Sequence, residues 1–201
     1  MAATTSTPQP VTALPSPEQL KGQVFVILGG SAGMGKAVAR SALARGADVV
    51  LVSRTESKLA AAKDELVSQG ADEARISTAA VDGSDEEAMK TLFAGYEKGS
   101  IHHLVATVSC WSLAKAGASS GGGKFLDHSF EHVQAQLDAK VKVQWLAARY
   151  AAPVLAQGGS ITFFTGGLSI RPGTGSSLLA MANASLEALT KALANELGPA
   201  L

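Results

Sequence analysis

The stretch that most restricts the fold is Gln23 to Lys36, QVFVILGGSAGMGK. Val24 to Leu28 is a short run of β-branched and large apolar residues, the pattern of a buried strand. It breaks into Gly29, Gly30, Gly33 and Gly35, and Lys36 to Ala44 resumes at helical period. A strand feeding a glycine-rich turn that opens a helix aims unpaired backbone N–H groups and the positive end of the helix dipole at one spot, which suits a phosphate. Two motifs compete for these residues. Gly30 to Lys36 has the spacing of a P-loop, but Ala37 follows, so the hydroxyl that would hold Mg²⁺ is missing, and no later strand ends in the expected acid. Gly29-x-x-x-Gly33-x-Gly35 has the form of a dinucleotide-binding turn. That turn expects a second strand about 20 residues on, ending beside the adenosine ribose, and Asp48 to Val52 (DVVLV) supplies it.

A chain of 201 residues is long enough to bury a real core in one α/β domain. Its 17 basic and 17 acidic side chains balance, which gives no electrostatic reason to expect nucleic acid or an anionic membrane. The single cysteine, Cys110, excludes an internal disulfide, and four scattered histidines are a poor metal inventory. A reducing, cytoplasmic setting is the expectation. Residues 1–19, rich in Ala, Thr, Ser and Pro, read as a disordered tail without the charged start of a secretory signal.

Beyond the second strand, Glu56 to Gln69 reads as a helix, Arg75 to Val81 as a short strand closed by Asp82, and Asp85 to Tyr96 as a helix. Ile101 to Ser109 reads as a buried strand. The Ser112–Lys124 loop, with its Gly/Ser cluster, is expected to border a ligand cleft or to be a slack surface loop. A long helix over Ser129 to Ala151, a strand over Ser160 to Thr165 and a final helix near Leu178 to Leu197 complete the pattern. Strands alternating with helices imply a parallel sheet with right-handed crossovers.

With these parts in order, the chain resembles the short-chain dehydrogenase/reductase superfamily from about Leu20 onward. The matching pieces are Gly29, Gly33 and Gly35, then VSRTESKL, VDGSD, GGSITFFTGG and ANASLEALTKALANEL. The resemblance implies a doubly wound Rossmann-type α/β sheet of order 3-2-1-4-5. It also implies a cofactor site at Gly29, Ser31, Gly33, Met34 and Gly35, with Asp82 near the adenine. An acid ending the second strand would accept from the ribose 2′-hydroxyl and select NAD, whereas a basic residue accommodates a 2′-phosphate. Ser53 and Arg54 hold that corner, so NADP(H) is favoured over NAD(H).

The family's catalytic tetrad is absent. Registering ANASLEALTKAL on the family helix puts Leu179 at the position of the proton-donating Tyr and Asn183 at that of the Lys. Gly166 falls at the Ser position and Lys140 at the Asn position. Leucine supplies no proton, and a positioned acid is typically worth ~10²–10⁴-fold in rate. An acceptor that is already activated, a C=N or C=C bond, needs hydride without that acid. Lys140 and Arg171 are the candidate substitutes, each with a plain surface role as the alternative. His128 to His132 matches H-x-x-E-H, but it lies away from the expected cleft with no evident third ligand, so no metal is expected. Cys110 and Trp111 follow the fourth strand, and Tyr150 is expected to pack on a neighbour.

The chain stops at Gly198-Pro199-Ala200-Leu201, before the superfamily's sixth strand, which leaves an apolar fifth strand at the sheet edge. Either the chain is a shortened product or a partner covers that edge. The resemblance implies a homodimer or homotetramer through the long and final helices. Three functions follow: a tetrad-less NADP(H) oxidoreductase on a small molecule in specialised metabolism, a nucleotide-binding pseudoenzyme, or a non-redox cyclase or isomerase.

Overall fold

The computed structural model describes residues 19–108 and 122–198. The N-terminal tail to residue 18, Cys110, Trp111 and most of the Ser112–Lys124 loop lie outside the described residues. Five strands, β1 (Val24–Leu28), β2 (Asp48–Ser53), β3 (Ile76–Ala80), β4 (Ile101–Ala106) and β5 (Leu155–Phe163), form one parallel sheet ordered β3-β2-β1-β4-β5. The helices are α1 (Gly33–Leu43), α2 (Glu56–Ser68), α3 (Glu86–Ala94), α4 (Phe130–Leu137), α5 (Val143–Ala151) and α6 (Ser177–Glu196).

A parallel strand covered on both faces needs apolar residues at odd and even positions alike. In β1, Val26 and Leu28 join the layer built with Met89 and Phe93 of α3 and Leu146 and Ala147 of α5. Ile27 joins the opposite layer, with Ala39 and Ala42 of α1 and Leu59 and Leu66 of α2. β4 divides the same way, Leu104 and Ala106 to the first layer and Val105 to the second. The continuous apolar runs of the sequence thus become two cores on one sheet.

Three boundaries differ from expectation. β5 begins at Leu155 rather than Ser160, because the register shift between Ile101 and His103 takes five residue steps in β5 against two in β4. Gln157-Gly158-Gly159 therefore reads as a loop but is a bulge, with Gly158 at a φ of 77°. β4 ends at Ala106, and Thr107 leaves the ladder to bond Leu28 O through its N–H (2.9 Å) and its Oγ1 (3.0 Å). The expected single long helix is α4 and α5 joined by a π-helical turn, Asp138–Lys142; hydrophobic period does not register one inserted residue.

On the inner strand β4, His103 Nδ1 lies 2.8 Å from Ser160 Oγ and Nε2 lies 2.7 Å from Gln23 Oε1. These bonds tie β4 to β5 and to the residue before β1. Burial, and then the neighbouring His102, hold the His103 pKa below the ordinary imidazole value. No described helix is long and apolar enough to cross a membrane.

Candidate functional site

The C-terminal ends of β1, β2 and β4 open on a cleft of about 840 Å³. Crevices of this kind form where the strand order reverses, here between β1 and β4. Its floor is the glycine turn, and two of the glycines are fixed by contact. A Cβ at Gly35 would lie 2.3 Å from Gly29 O and 2.7 Å from Thr107 Oγ1. One at Gly29 would lie 2.6 Å from Thr107 Oγ1, and Gly29 also holds a φ of +82°. Packing the turn this tightly against Thr107 lets α1 begin at the cleft. α1 has no side-chain cap bond and no acid in its first turn, so its leading N–H groups face the space lined by Ser31, Ala32, Gly33 and Met34. That cradle fits a pyrophosphate.

Lys36 is not part of it. Its ammonium bonds Glu65 of α2 and holds that carboxyl below the usual range. The lysine that would complete a P-loop braces two helices instead.

At the end of β2, Ser53, Arg54, Thr55 and Lys58 line the cleft. Arg54 and Lys58 are both exposed, and none of these four residues is acidic. Sequence reasoning missed Lys58; its signal is the spacing of four from Arg54 across the start of α2. Two cations with free reach suit a 2′-phosphate. Farther along, Asp82 Oδ1 accepts from Ser84 N (3.0 Å) and Ser84 Oγ (2.7 Å). This turn carries Gly83 against the long helix, where a Cβ would lie 2.7 Å from Val143 Cγ1. Ala135, Asp138, Ala139 and Val143 form the far wall. None of these four was legible beforehand, because the π turn decides which face of the helix they occupy.

The cleft thus gathers all the expected cofactor residues except Gly35, which lies beneath the turn. The four residues registered on the family tetrad, Lys140, Gly166, Leu179 and Asn183, are not among the residues lining the cleft. Lys140 is 6% exposed and Asn183 3%. Lys140 Nζ donates to Asn183 Oδ1, and Asn183 Nδ2 donates to Gly166 O at 3.0 Å. Three of the four positions are therefore joined in one hydrogen-bonded run from the π turn through α6 to the end of β5. Leu179 is half-buried, one turn before Asn183 on α6. Gln136, Lys140, Gln144, Ser176 and Asn183 are all buried, and Lys140 and Asn183 join the π turn to α6.

Arg171 is exposed; its N–H donates to Gly167 O at 2.9 Å, and it is not among the described residues lining the cleft. Tyr150 packs against the α3–α5 layer, and its Oη donates to Glu86 Oε1 at 2.8 Å, which raises its pKa. In the H-x-x-E-H segment, His132 Nδ1 accepts from Ser129 N at 3.3 Å as part of a capping box, and the His128 and His132 rings meet edge-on at 5.7 Å. Among the described residues no three His, Cys, Asp or Glu groups are placed to hold a metal.

Comparison with known proteins adds the following. The family described as enoyl-(acyl carrier protein) reductase matches residues 29–200. The short-chain dehydrogenase/reductase ucsE of Acremonium sp. is 27% identical over 193 residues, which cover 90% of this chain and 70% of ucsE. The solved citronellol catabolism dehydrogenase AtuB of Pseudomonas aeruginosa PAO1 is 28% identical with a TM-score of 0.75, covering 92% of this chain and 72% of AtuB. A short chain dehydrogenase from Mycobacterium smegmatis is 26% identical with a TM-score of 0.76, covering 90% of this chain and 72% of its own.

Proposed function

Because this chain belongs to the short-chain dehydrogenase/reductase superfamily, a superfamily of oxidoreductases, we propose that it binds NADP(H) and delivers hydride to an activated C=N or C=C bond of a small molecule in specialised metabolism. The observation that carries the cofactor half is the glycine cradle joined to a basic corner. Ser31, Gly33 and Met34 offer backbone donors to the pyrophosphate, Gly29 and Gly35 let the turn close, and Ser53, Arg54 and Lys58 take the 2′-phosphate. Asp82 serves the adenine side. A reduced nicotinamide bound in this cleft supplies hydride.

The acceptor half rests on what the residues cannot do. Leu179 has no proton to give, and Gly166 offers a carbonyl where the family's serine would donate. Reduction of a plain ketone would build charge on oxygen with no acid beside it. An acceptor activated beforehand avoids that requirement.

A second reading has one observation in its favour. Lys140 and Asn183 are both buried and bonded to each other, as a packed core pair would be, which suits a nucleotide-binding pseudoenzyme. A homodimer or homotetramer through α4, α5 and α6 is part of the proposal. Trp145, 44% exposed with Arg149 stacked 5.6 Å over its ring, and Met181, 37% exposed, offer apolar surface there. A cytoplasmic setting is part of the same reading.

The test is a fluorescence titration with NADPH and NADH, followed by a screen for NADPH oxidation with imines, enones and unactivated ketones. The expected result is tighter binding of NADPH and turnover on the activated classes alone. Binding without any turnover supports the pseudoenzyme, and no binding of either nucleotide at millimolar concentration ends the cofactor reading.

A further inference from the structure

A phosphate on the 2′-oxygen restricts where the base of a bound dinucleotide can lie, because base and phosphate sit on neighbouring ribose carbons. With the phosphate at Arg54 and Lys58, the base occupies the same part of the cleft. β3 lies just outside β2 in the sheet, and the turn that follows it, Asp82 to Ser84, bounds that part. The long helix closes it from the other side, since a Cβ at Gly83 would lie 2.7 Å from Val143 Cγ1. A π turn brings residues five places apart one turn from each other on the same face. Asp138 therefore stands one turn from Val143, and both line the cleft.

Two carboxylates thus border the space left for the base, and they are differently engaged. Asp82 Oδ1 is occupied by its own turn, accepting from Ser84 N and Ser84 Oγ. Asp138 is half-buried, its Oδ1 accepts from Gln134 Nε2 at 3.0 Å, and among the described residues no cation pairs with it. An ionised carboxylate accepts at about four lone-pair sites, so one amide leaves most of that capacity unused. On the helix wall Asp138 is the polar side chain among Ala135, Ala139 and Val143. An apolar wall with one placed acceptor suits a flat ring that carries a donor on its edge. Resting on the cofactor reading above, we infer that Asp138 reads the base: its carboxylate accepts a hydrogen bond from the exocyclic amino group of adenine. Hypoxanthine and guanine carry a carbonyl at that ring position, which sets an acceptor against an acceptor. Arg54 and Lys58 then distinguish the ribose, and Asp138 distinguishes the purine.

The experiment measures dissociation constants on the whole chain for NADPH and for its hypoxanthine analogue, which differs only in replacing the amino group by a carbonyl. No substrate is present, and binding is read by nicotinamide fluorescence. The wild-type chain should favour NADPH on the order of tenfold, the effect of losing a hydrogen bond to a charged acceptor. Asp138→Asn keeps an acceptor for Gln134 and offers an amide that can donate to the carbonyl, so it should bring the ratio near one. Asp138→Leu should do the same by weakening NADPH alone. Asp82→Asn should leave most of the preference in place. A wild-type ratio near one overturns the inference and leaves the cofactor reading standing, and this arm needs no variant to fold. A preference that survives in folded Asp138→Asn, or one that vanishes in Asp82→Asn alone, overturns it as well. Failure to bind either dinucleotide removes both readings.

Discussion

Replacing Gly35 by Ala tests whether the site is built by close approach or by backbone freedom. Gly35 has no left-handed φ, so alanine there meets no backbone strain of its own. Its Cβ would lie 2.3 Å from Gly29 O and 2.7 Å from Thr107 Oγ1, distances that no relaxed side chain tolerates. The Gly29 carbonyl belongs to the turn itself, so relief requires moving the turn away from α1. Forcing a methyl into a packed interior costs about 1–3 kcal/mol. Displacing Thr107 threatens its bond to Leu28 O, worth about 1 kcal/mol more. A total near 3 kcal/mol lowers Tm by about 6–12 °C in a chain of this size. Gly33→Ala is the control. Nothing lies within 4 Å of its added Cβ, but φ is +51°, so only about 1–2 kcal/mol of left-handed strain applies. Calorimetric Tm values and NADPH titrations on both variants check this. Gly35→Ala should show the larger loss of stability and at least tenfold weaker binding. Equal Tm shifts in the two variants, or undiminished NADPH affinity in Gly35→Ala, would refute the packing argument.

Arg54→Ala should weaken NADPH far more than NADH, with Lys58→Ala adding a smaller effect of the same sign; equal loss for both nucleotides would remove the 2′-phosphate assignment. The four-fold variant K140N/G166S/L179Y/N183K should gain reduction of unactivated ketones by roughly 10²-fold or more over the parent, read as NADPH consumption. Gly166→Ser alone should not, since its Cβ would lie 3.1 Å from Asn183 Nδ2. For pH, burial holds His103 below the ordinary imidazole pKa. Below about pH 6.5 the unfolded chain therefore takes up a proton that the folded chain resists. Stability should be full above that value and fall as pH drops through the window beneath it, measured as urea midpoints at pH 8 and pH 5.5. A His103→Gln variant should lose much of that slope.

The sheet order was legible because β1 is apolar at every position, β2 and β4 carry the continuous apolar runs Val49–Val52 and Leu104–Ala106, and the glycine turn punctuates the first of them. The cofactor side of the cleft was legible for the same reason: turn residues act through the backbone, and their spacing is written in sequence. What could not be read was relational. Lys58 looks like any surface lysine until α2 brings it beside Arg54. Lys140 and Asn183 could each be singled out by registering the chain on the family pattern, but their bond depends on a π turn that leaves no trace in hydrophobic period. The bulge in β5 was hidden likewise, because Gln157-Gly158-Gly159 carries the composition of a loop.

An added residue in a helix behaves as a phase error. The extra member of the Asp138–Lys142 turn advances everything after it by about 100° around the axis, and here Val143, Leu146, Ala147 and Ala151 nevertheless land on the sheet. The amino acids upstream and downstream are thus written in two different frames that agree only while the insertion is kept. Removing any one residue between 138 and 142 would leave nearly every side chain in place in the sequence, yet it would swing either the Gln136 half or the Leu146 half out of alignment. In this segment, changes of length should prove far less tolerable than changes of identity.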